Sequence, residues 1–477
     1  MKLFWFFLFG IIFASPIKVL TPDEDSFYQP PDNYEDEEPG TILKMRIAPY
    51  QIRSLYFPVN VSNVWQVLVK SEDVLGNASL VVSTIFEPYN ANSSRLVSYQ
   101  VAEDSAFGNC APSYSFVGGG ISTIVAKLEM FLIQTALDQG YYVVAPDYET
   151  TKSTFTVGPT SGLATLNSIR ATLSTGNVTN ISPDAEVVMW GYSGGTIASG
   201  WAAGLAPTYA EDLTSNLKGC AIGGWVTNIT AVAEIIDGSI FVGLTPSAIA
   251  GLTNQYPELR SFVEEQILPN KTKSFEKAYE LCLADSILNY AFDDIFAGEN
   301  RYAKNGWDIL KAPVIQEILL QNTLGINATE DVKPEIPMFV YHGEKDEIVP
   351  YKDSQRVYEV WCDGDGMDSF EFATASSTGH ILEVIEGSGA ALRWIKKVFD
   401  GEELVQGCKK TKRLTNLFYP GAFGEYIDLI KAAIKNIKDD AIGPNTKRSL
   451  FDEDFADNFE IQSLIKFLYS IEDERFM

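Results

Sequence analysis

At 477 residues the chain has room for one decorated catalytic domain or two smaller ones. Hydrophobic residues make up 46%, enough for a large core, and only 21% are charged, which argues against long disordered stretches away from the ends. The net charge of −27 argues against nucleic acid, whose phosphates need Lys and Arg, and against docking on anionic membranes through a basic patch. It suits a solvated acidic surface, or a contact with lipid that is apolar.

The N-terminus reads as a secretory signal, residues 1–15. Lys2 supplies the positive start, Leu3 to Phe13 is an apolar run too short to span a bilayer, and the small residues Ala14 and Ser15 follow. A buried N-terminal helix or strand is the plain alternative. No later run is long and apolar enough to predict a transmembrane anchor. Residues 16–40 are acidic and Pro-rich and predict an extended arm or a processed segment. From Ile42 to about Thr84 a partial alternation, as in Arg46-Ile47-Ala48, predicts antiparallel strands.

An α/β rhythm then takes over. Leu96 to Val101 reads as a strand. Ile121 to Gln139 has helical spacing and stops at Gly140. Tyr141 to Ala145 is a short apolar run ending at Pro146-Asp147, as a buried parallel strand should. Gly162 to Leu173 predicts a helix, Glu186 to Trp190 a strand, Thr196 to Leu205 a small-residue helix and Gly219 to Trp225 a strand. Such alternation implies a mostly parallel sheet with helices on both faces. Between about 228 and 312 the pattern is helical without a strand, and Ala231 to Leu252 is mostly apolar. That insertion fits a cap over an active site and an ordinary buried helical hairpin equally well. The sheet resumes at Met338 to Tyr341, and Ala390 to Phe399 predicts a final core helix. The catalytic domain is accordingly drawn at 41–408, with 409–477 a helical extension containing the amphipathic run Tyr426 to Ile437.

The chemistry is concentrated in Gly191-Tyr192-Ser193-Gly194-Gly195, a G-x-S-x-G between the apolar strand Val187-Val188-Met189-Trp190 and a small-residue helix. A sharp strand-to-helix turn puts Ser193 at its apex, and the flanking glycines avoid collision with the neighbouring strand and helix. The following helix points its amides at a developing oxyanion. A serine hydroxyl needs a base. The chain has two histidines, His342 and His380. In this fold class the order nucleophile, acid, base selects His380; His342, at a strand end, reads as a packing or hydrogen-bonding residue. The acid belongs on the loop after Met338 to Tyr341, which offers Glu344, Asp346 and Glu347 without a choice among them. One oxyanion donor is expected at the backbone N–H of Gly194, and the other in the loop Glu103-Asp104-Ser105. Gly118-Gly119-Gly120 lacks the G-x-G-x-x-G form of a dinucleotide site, and two histidines leave little for a zinc hydrolase. No metal or cofactor is expected.

Five cysteines, Cys110, Cys220, Cys282, Cys362 and Cys408, suit an oxidising compartment with two disulfides and one thiol. Asn-X-Ser/Thr sequons occur at Asn60, Asn77, Asn92, Asn177, Asn180, Asn228, Asn270 and Asn327. With the signal segment they suggest a glycosylated secreted protein.

These residues resemble the fungal secretory lipase family, the secreted lipases of Candida yeasts. The landmarks are Asp25-Ser26-Phe27-Tyr28-Gln29-Pro30-Pro31, Gly140-Tyr141-Tyr142-Val143-Val144-Ala145-Pro146-Asp147-Tyr148, Trp190-Gly191-Tyr192-Ser193-Gly194-Gly195 and Gly223-Gly224-Trp225-Val226-Thr227-Asn228. The likeness runs from about Asp25 to Cys408. It implies an α/β-hydrolase fold with a helical cap and hydrolysis of triacylglycerols and other esters without a metal. It favours Asp346 as the acid, through an Asp-x-x-Val-Pro setting, and places the second oxyanion donor at Asp104. It further implies that Cys110 pairs with Cys282 and Cys362 with Cys408, leaving Cys220 free. Thr150 stands where the pattern calls for glycine, and the tail after Cys408 is longer than expected. The substrate is expected to be a lipid or ester, met at a lipid–water interface, and the protein a monomer. A soluble carboxylesterase, an acyltransferase or a serine peptidase would share the same triad, while a non-enzymatic binding protein would need a broken one.

Overall fold

The computed structural model describes residues 19–55, 57–118, 121–325, 332–364 and 366–446. The signal segment, Gly119 and Gly120, Asn327 and residues 447–477 of the expected extension lie outside them.

The centre is a ten-stranded sheet. Its strands are β1 (Ile42–Ile47), β2 (Asn63–Glu72), β3 (Ala78–Glu87), β4 (Asn92–Gln100), β5 (Tyr141–Pro146), β6 (Glu186–Tyr192), β7 (Leu217–Gly223), β8 (Met338–Gly343), β9 (Ser369–Ala375) and β10 (Gly407–Arg413). Their spatial order is β1-β2-β3-β5-β4-β6-β7-β8-β9-β10. The pairs β1–β2, β2–β3 and β3–β5 are antiparallel, and every pair from β5 to β10 is parallel. The runs Val187–Met189 and Phe339–Tyr341 are fully buried, because helices cover both faces of a parallel sheet.

The labelled helices are α1 (Ile124–Asp138), α2 (Gly158–Leu173), α3 (Gly195–Tyr209), α4 (Ile229–Ile236), α5 (Leu244–Gln255), α6 (Pro257–Gln266), α7 (Leu283–Tyr290), α8 (Pro313–Gln321), α9 (Tyr351–Cys362), α10 (His380–Glu386), α11 (Ser388–Phe399) and α12 (Ala422–Ile437). α1 stops where expected, with Gly140 at φ +86 just beyond it. Helices α2 and α3 pack on each other on one face, with α3 against β6; α1, α11 and α12 pack together on the other.

One boundary moves, and two segments that the sequence left open take a definite form. The boundary at 408 falls inside β10, which pairs residue for residue with β9 from Ser369–Gly407 to Ala375–Arg413. The run GCKKTKR has no apolar face to announce a strand, because an edge strand borders water and lysines protect its open side. Beyond it, α12 buries Ala422, Tyr426 and Ile430, one helical face, against α11. The extension as far as residue 446 is therefore part of the sheet and its cover. The N-terminal arm, in its described part, packs on the sheet. Phe27 and Tyr28 are buried against Leu68, Leu80 and Val82, each burial worth roughly 1.5–3 kcal/mol. Arg46 holds Asp25 at 2.7 Å. Finally, Ala231 to Leu252 forms two helices, α4 and α5, with a break at Asp237–Gly243.

The excursion between β7 and β8 is helical, as its pattern predicted, and has an apolar core of its own that includes Val242, Tyr256, Phe275, Tyr290 and Tyr302. The Cys110–Cys282 disulfide fastens it to the loop after β4, and Cys362–Cys408 ties α9 to β10. Cys220 is a buried free thiol. No helix among the described residues is long and apolar enough to cross a membrane.

Candidate active site

Three parallel strands deliver the chemistry at their C-terminal ends. β6 turns into α3 through Ser193, which sits at φ +50, the left-handed conformation that a strand-to-helix elbow imposes. The two glycines of the turn are required sterically. A Cβ on Gly191 would lie 2.6 Å from Ser199 Oγ, and one on Gly195 would lie 2.0 Å from the carbonyl O of Gln100 in β4. The Ser193 N–H donates to the carbonyl of Gly223 at 2.9 Å, tying the elbow to β7.

His380 begins α10, after β9. Its Nε2 lies 2.8 Å from Ser193 Oγ and its Nδ1 lies 2.7 Å from Asp346 Oδ2. Asp346, on the loop after β8, has a fully buried side chain and also accepts from the N–H groups of Ile348 (2.9 Å) and Val349 (2.6 Å) through Oδ1. Of the acids that spacing left open, Asp346 is the one on the imidazole. Glu344 points outward to Lys412 at 2.6 Å. Glu347 accepts the backbone N–H of His380 at 2.7 Å and so holds the histidine's main chain. Tyr192 donates its hydroxyl to the His380 carbonyl at 2.6 Å, a second tether. Spacing gave no sign of either tether; both arise from a loop folding back onto the elbow.

Burial pulls the His380 pKa down, but the Asp346 carboxylate, with Glu347 and Asp104 behind it, more than offsets this and raises it. Burial alone would raise Asp346; His380, aided by the hydrogen bond from His342, outweighs it and holds the carboxyl well below the usual range. The pair is arranged to stabilise an imidazolium while Asp346 stays ionised.

The oxyanion side departs from expectation in its atoms. Gly194 caps the N-terminus of α3, where the helix leaves N–H groups open. The N–H of Asp104, expected to be the second donor, instead donates to Glu149 Oε1 at 3.1 Å, and the N–H of Ser105 to Oε2 at 3.3 Å. That bidentate anchor accompanies a turn with Asp104 at φ +51. It leaves the Asp104 carboxyl in the site, lining the same cavity as Ser193 and Gly194. Its Oδ1 is buried with no hydrogen-bond partner among the described residues, and a Cβ on Gly194 would stand 1.6 Å from it. Burial pushes the Asp104 pKa up to about 7, against the pull of His380. Glu103 and Glu149, also buried, are raised well above the carboxylate range, Glu103 by burial and the charges of Glu149, Asp147 and Asp104, Glu149 by burial and the charges of Asp104 and Asp147. No sequence signal distinguishes a side-chain donor from a backbone one at this place.

From Ser193 a cavity of roughly 750 Å³, its open mouth included, runs under the helical excursion. Val232, Ala233 and Ile236 of α4, Ala248 and Leu252 of α5, Phe296 and Leu319 line it. The run Ala231 to Leu252 thus supplies one wall of that cavity.

The sequon asparagines differ in surroundings. Asn77, Asn92, Asn177, Asn180 and Asn270 are exposed. Asn60 and Asn228 are half-buried with the amide nitrogen engaged, Asn60 with the Asp439 carbonyl and Asn228 with Asp353, each at 2.9 Å. Asn228 also caps α4 through its Oδ1.

Comparison with known proteins agrees in kind. The family profile described as "Secretory lipase" matches residues 117–407. "Lipase 1" of Candida albicans is 44% identical over 460 residues, 96% of each chain. "Lipase 5" of the same yeast is 45% identical over 443 residues, 93% of this chain and 95% of the other. Among solved structures, Candida antarctica lipase A in its closed state superposes with a TM-score of 0.76 at 28% identity, covering 90% of this chain and 100% of that one. A rice cell wall degrading esterase from Xanthomonas oryzae, at 15% identity and a TM-score of 0.59, covers 77% of this chain and 100% of its own and shares the fold.

Proposed function

The chain belongs to the secretory lipase family, and from that membership we propose that it is a secreted lipase that hydrolyses triacylglycerol and other carboxylic esters through Ser193, His380 and Asp346. The observation that carries the reading is the unbroken line from Ser193 Oγ to His380 Nε2 (2.8 Å) and from Nδ1 to Asp346 (2.7 Å), opening on an apolar cavity.

Ser193 Oγ attacks the ester carbonyl as its proton passes to His380 Nε2. The imidazolium is held by Asp346. The Gly194 N–H and, in its protonated form, the Asp104 carboxyl donate to the oxyanion. Collapse breaks the C–O bond, and Nε2 returns the proton to the leaving alcohol. Water then repeats the sequence on the acyl-enzyme and frees the acid. The excursion between β7 and β8 acts as a cap whose apolar lining takes the acyl chain; such a lining favours a lipid ester over a peptide, which needs polar partners along its backbone. The lipid–water interface supplies the substrate. Residues 1–15 act as the signal for secretion, the enzyme works as a monomer, and the exposed Asn77, Asn92, Asn177, Asn180 and Asn270 are its glycan acceptors.

Ser193→Ala tests the reading. The variant should keep its fold by circular dichroism, release no fatty acid from emulsified triolein and take no fluorophosphonate label. Hydrolysis retained in that variant would refute it.

A further inference from the structure

The two histidines of the chain meet at one oxygen. Asp346 Oδ2 lies 2.7 Å from His380 Nδ1 and 3.1 Å from His342 Nε2. The reaction just described uses the first contact and has no use for the second. His342 is fully buried in β8, four residues before Asp346. Its ring stands edge-on to Tyr351 at 5.6 Å and parallel to Phe372 at 6.5 Å. Nε2 also faces the carbonyl O of Val349 at 3.3 Å. Both neighbours of Nε2 are acceptors, so that nitrogen carries the proton. Nδ1 is then the bare lone pair, and it is buried without a hydrogen-bond partner among the described residues. An unsatisfied buried nitrogen carries a desolvation cost that phenylalanine at this place would not incur. Packing alone gives no reason for an imidazole here.

We propose that His342 is a positioning residue of the triad: its Nε2–H pins Asp346 and draws off part of the carboxylate's charge, so that His380 releases its proton, and serves as base, at a lower pH than an unshared carboxylate would allow. The proposal rests on the Ser193–His380–Asp346 reading above. A second donor on Oδ2 stabilises the aspartate anion and weakens its hold on the imidazolium. Around the pair stand acids: Glu347 and Asp104 face His380, and Glu383 and the Tyr192 phenol lie close to Asp346. Each of these, when ionised, favours a charged His380. His342 acts in the opposite direction.

The test is the pH profile of kcat/KM on a short soluble ester, p-nitrophenyl butyrate, for the parent, His342→Phe and His342→Gln. Phenylalanine keeps the packing and removes the donor; glutamine returns an N–H near the Nε2 position. His342→Phe should move the acidic limb up by about half a unit to one unit, a loss of roughly 3–10-fold on that limb. His342→Gln should bring the limb back. A His342→Phe limb superimposed on the parent's, or one that glutamine does not restore, overturns the proposal. Should His342→Phe fail to fold, the parent itself decides. With two histidines, its ¹⁵N-imidazole spectrum should show one proton on Nε2 of His342 and one on Nδ1 of His380, and a His342 protonated on Nδ1 overturns it equally. Failure of the triad reading looks different: Ser193→Ala would then remain active, whatever the imidazole spectrum shows.

Discussion

Replacing Asp104 with asparagine separates the side-chain oxyanion donor from the backbone one. In the structure the Asp104 N–H is held by Glu149, and the carboxyl sits flush against Gly194 beside Ser193. Burial lifts its pKa to about 7. Below that value the group is protonated and donates; above it, a carboxylate faces a developing oxyanion. At pH 9, two units higher, about 1% of the groups keep the proton. One oxyanion donor is worth about 10²–10³ in kcat, or 2.7–4 kcal/mol. At pH 9 the parent's kcat should therefore lie about 100-fold below the value it would reach with every Asp104 protonated and His380 neutral. A carboxamide donates without titrating, so Asp104→Asn should hold its plateau within a few-fold up to pH 9 once His380 has lost its proton. Asp104→Leu, of similar size and with no donor, should lie about 10²–10³-fold below the parent's plateau at every pH. The assay is kcat for p-nitrophenyl butyrate from pH 5 to 9.5, with active sites counted by burst titration. On the acidic side the parent's activity should rise with pH as His380, its pKa raised, loses its proton. The same substitution bears on stability: a carboxyl raised in the fold contributes fully below its unfolded pKa and loses that contribution as pH rises through about 7. Asp104→Asn should thus unfold at higher urea than the parent above pH 7. A parent profile flat to pH 9, or an Asn variant that falls as the parent does, refutes the side-chain donor.

Other outcomes follow from the cavity, the disulfides and one strained turn. Ala248→Phe narrows the cavity; if it excludes three methylenes of the acyl chain, about 2.4 kcal/mol of burial is lost, and kcat/KM for long-chain esters should drop roughly 50-fold while that for butyrate holds. Equal loss on both chain lengths would mean that the cavity does not hold the acyl chain. The Cys110–Cys282 bridge spans 172 residues and fastens the cap to the loop carrying Asp104; Cys110→Ser with Cys282→Ser should destabilise the fold by about 2–5 kcal/mol in urea, and an unchanged midpoint would show that the cap is held without it. Thr150, a β-branched residue at φ +66, occupies backbone that glycine tolerates; Thr150→Gly should gain about 1 kcal/mol by the same measurement, and a loss would show that its side chain contributes more than the strain removes.

Much of this was legible in order along the chain. The elbow declared itself because its glycines are steric necessities written into adjacent positions, and the scarcity of histidine singled out His380. The parallel strands were visible because burial on both faces demands unbroken apolar runs, as in Val187–Met189 and Phe339–Tyr341. β10 was not visible, because an edge strand beside water carries lysines in place of a core pattern. The length of the C-terminal extension misled for the same reason: α12 shows its amphipathic face, but nothing local says what that face meets.

The sequence alone picked out Ser193 as the candidate nucleophile, the alternation of strand and helix, and the apolar character of the insertion, each written in residues close together in the chain, and His380 as the candidate base through the scarcity of histidine. Tertiary structure decided which acid reaches His380, which atom of Asp104 enters the site, and that His342 lies on the same carboxylate. Those depend on loops from distant strands converging at one edge of the sheet. Hydrogen bonding is a matter of ångströms and direction, and spacing along a chain carries neither.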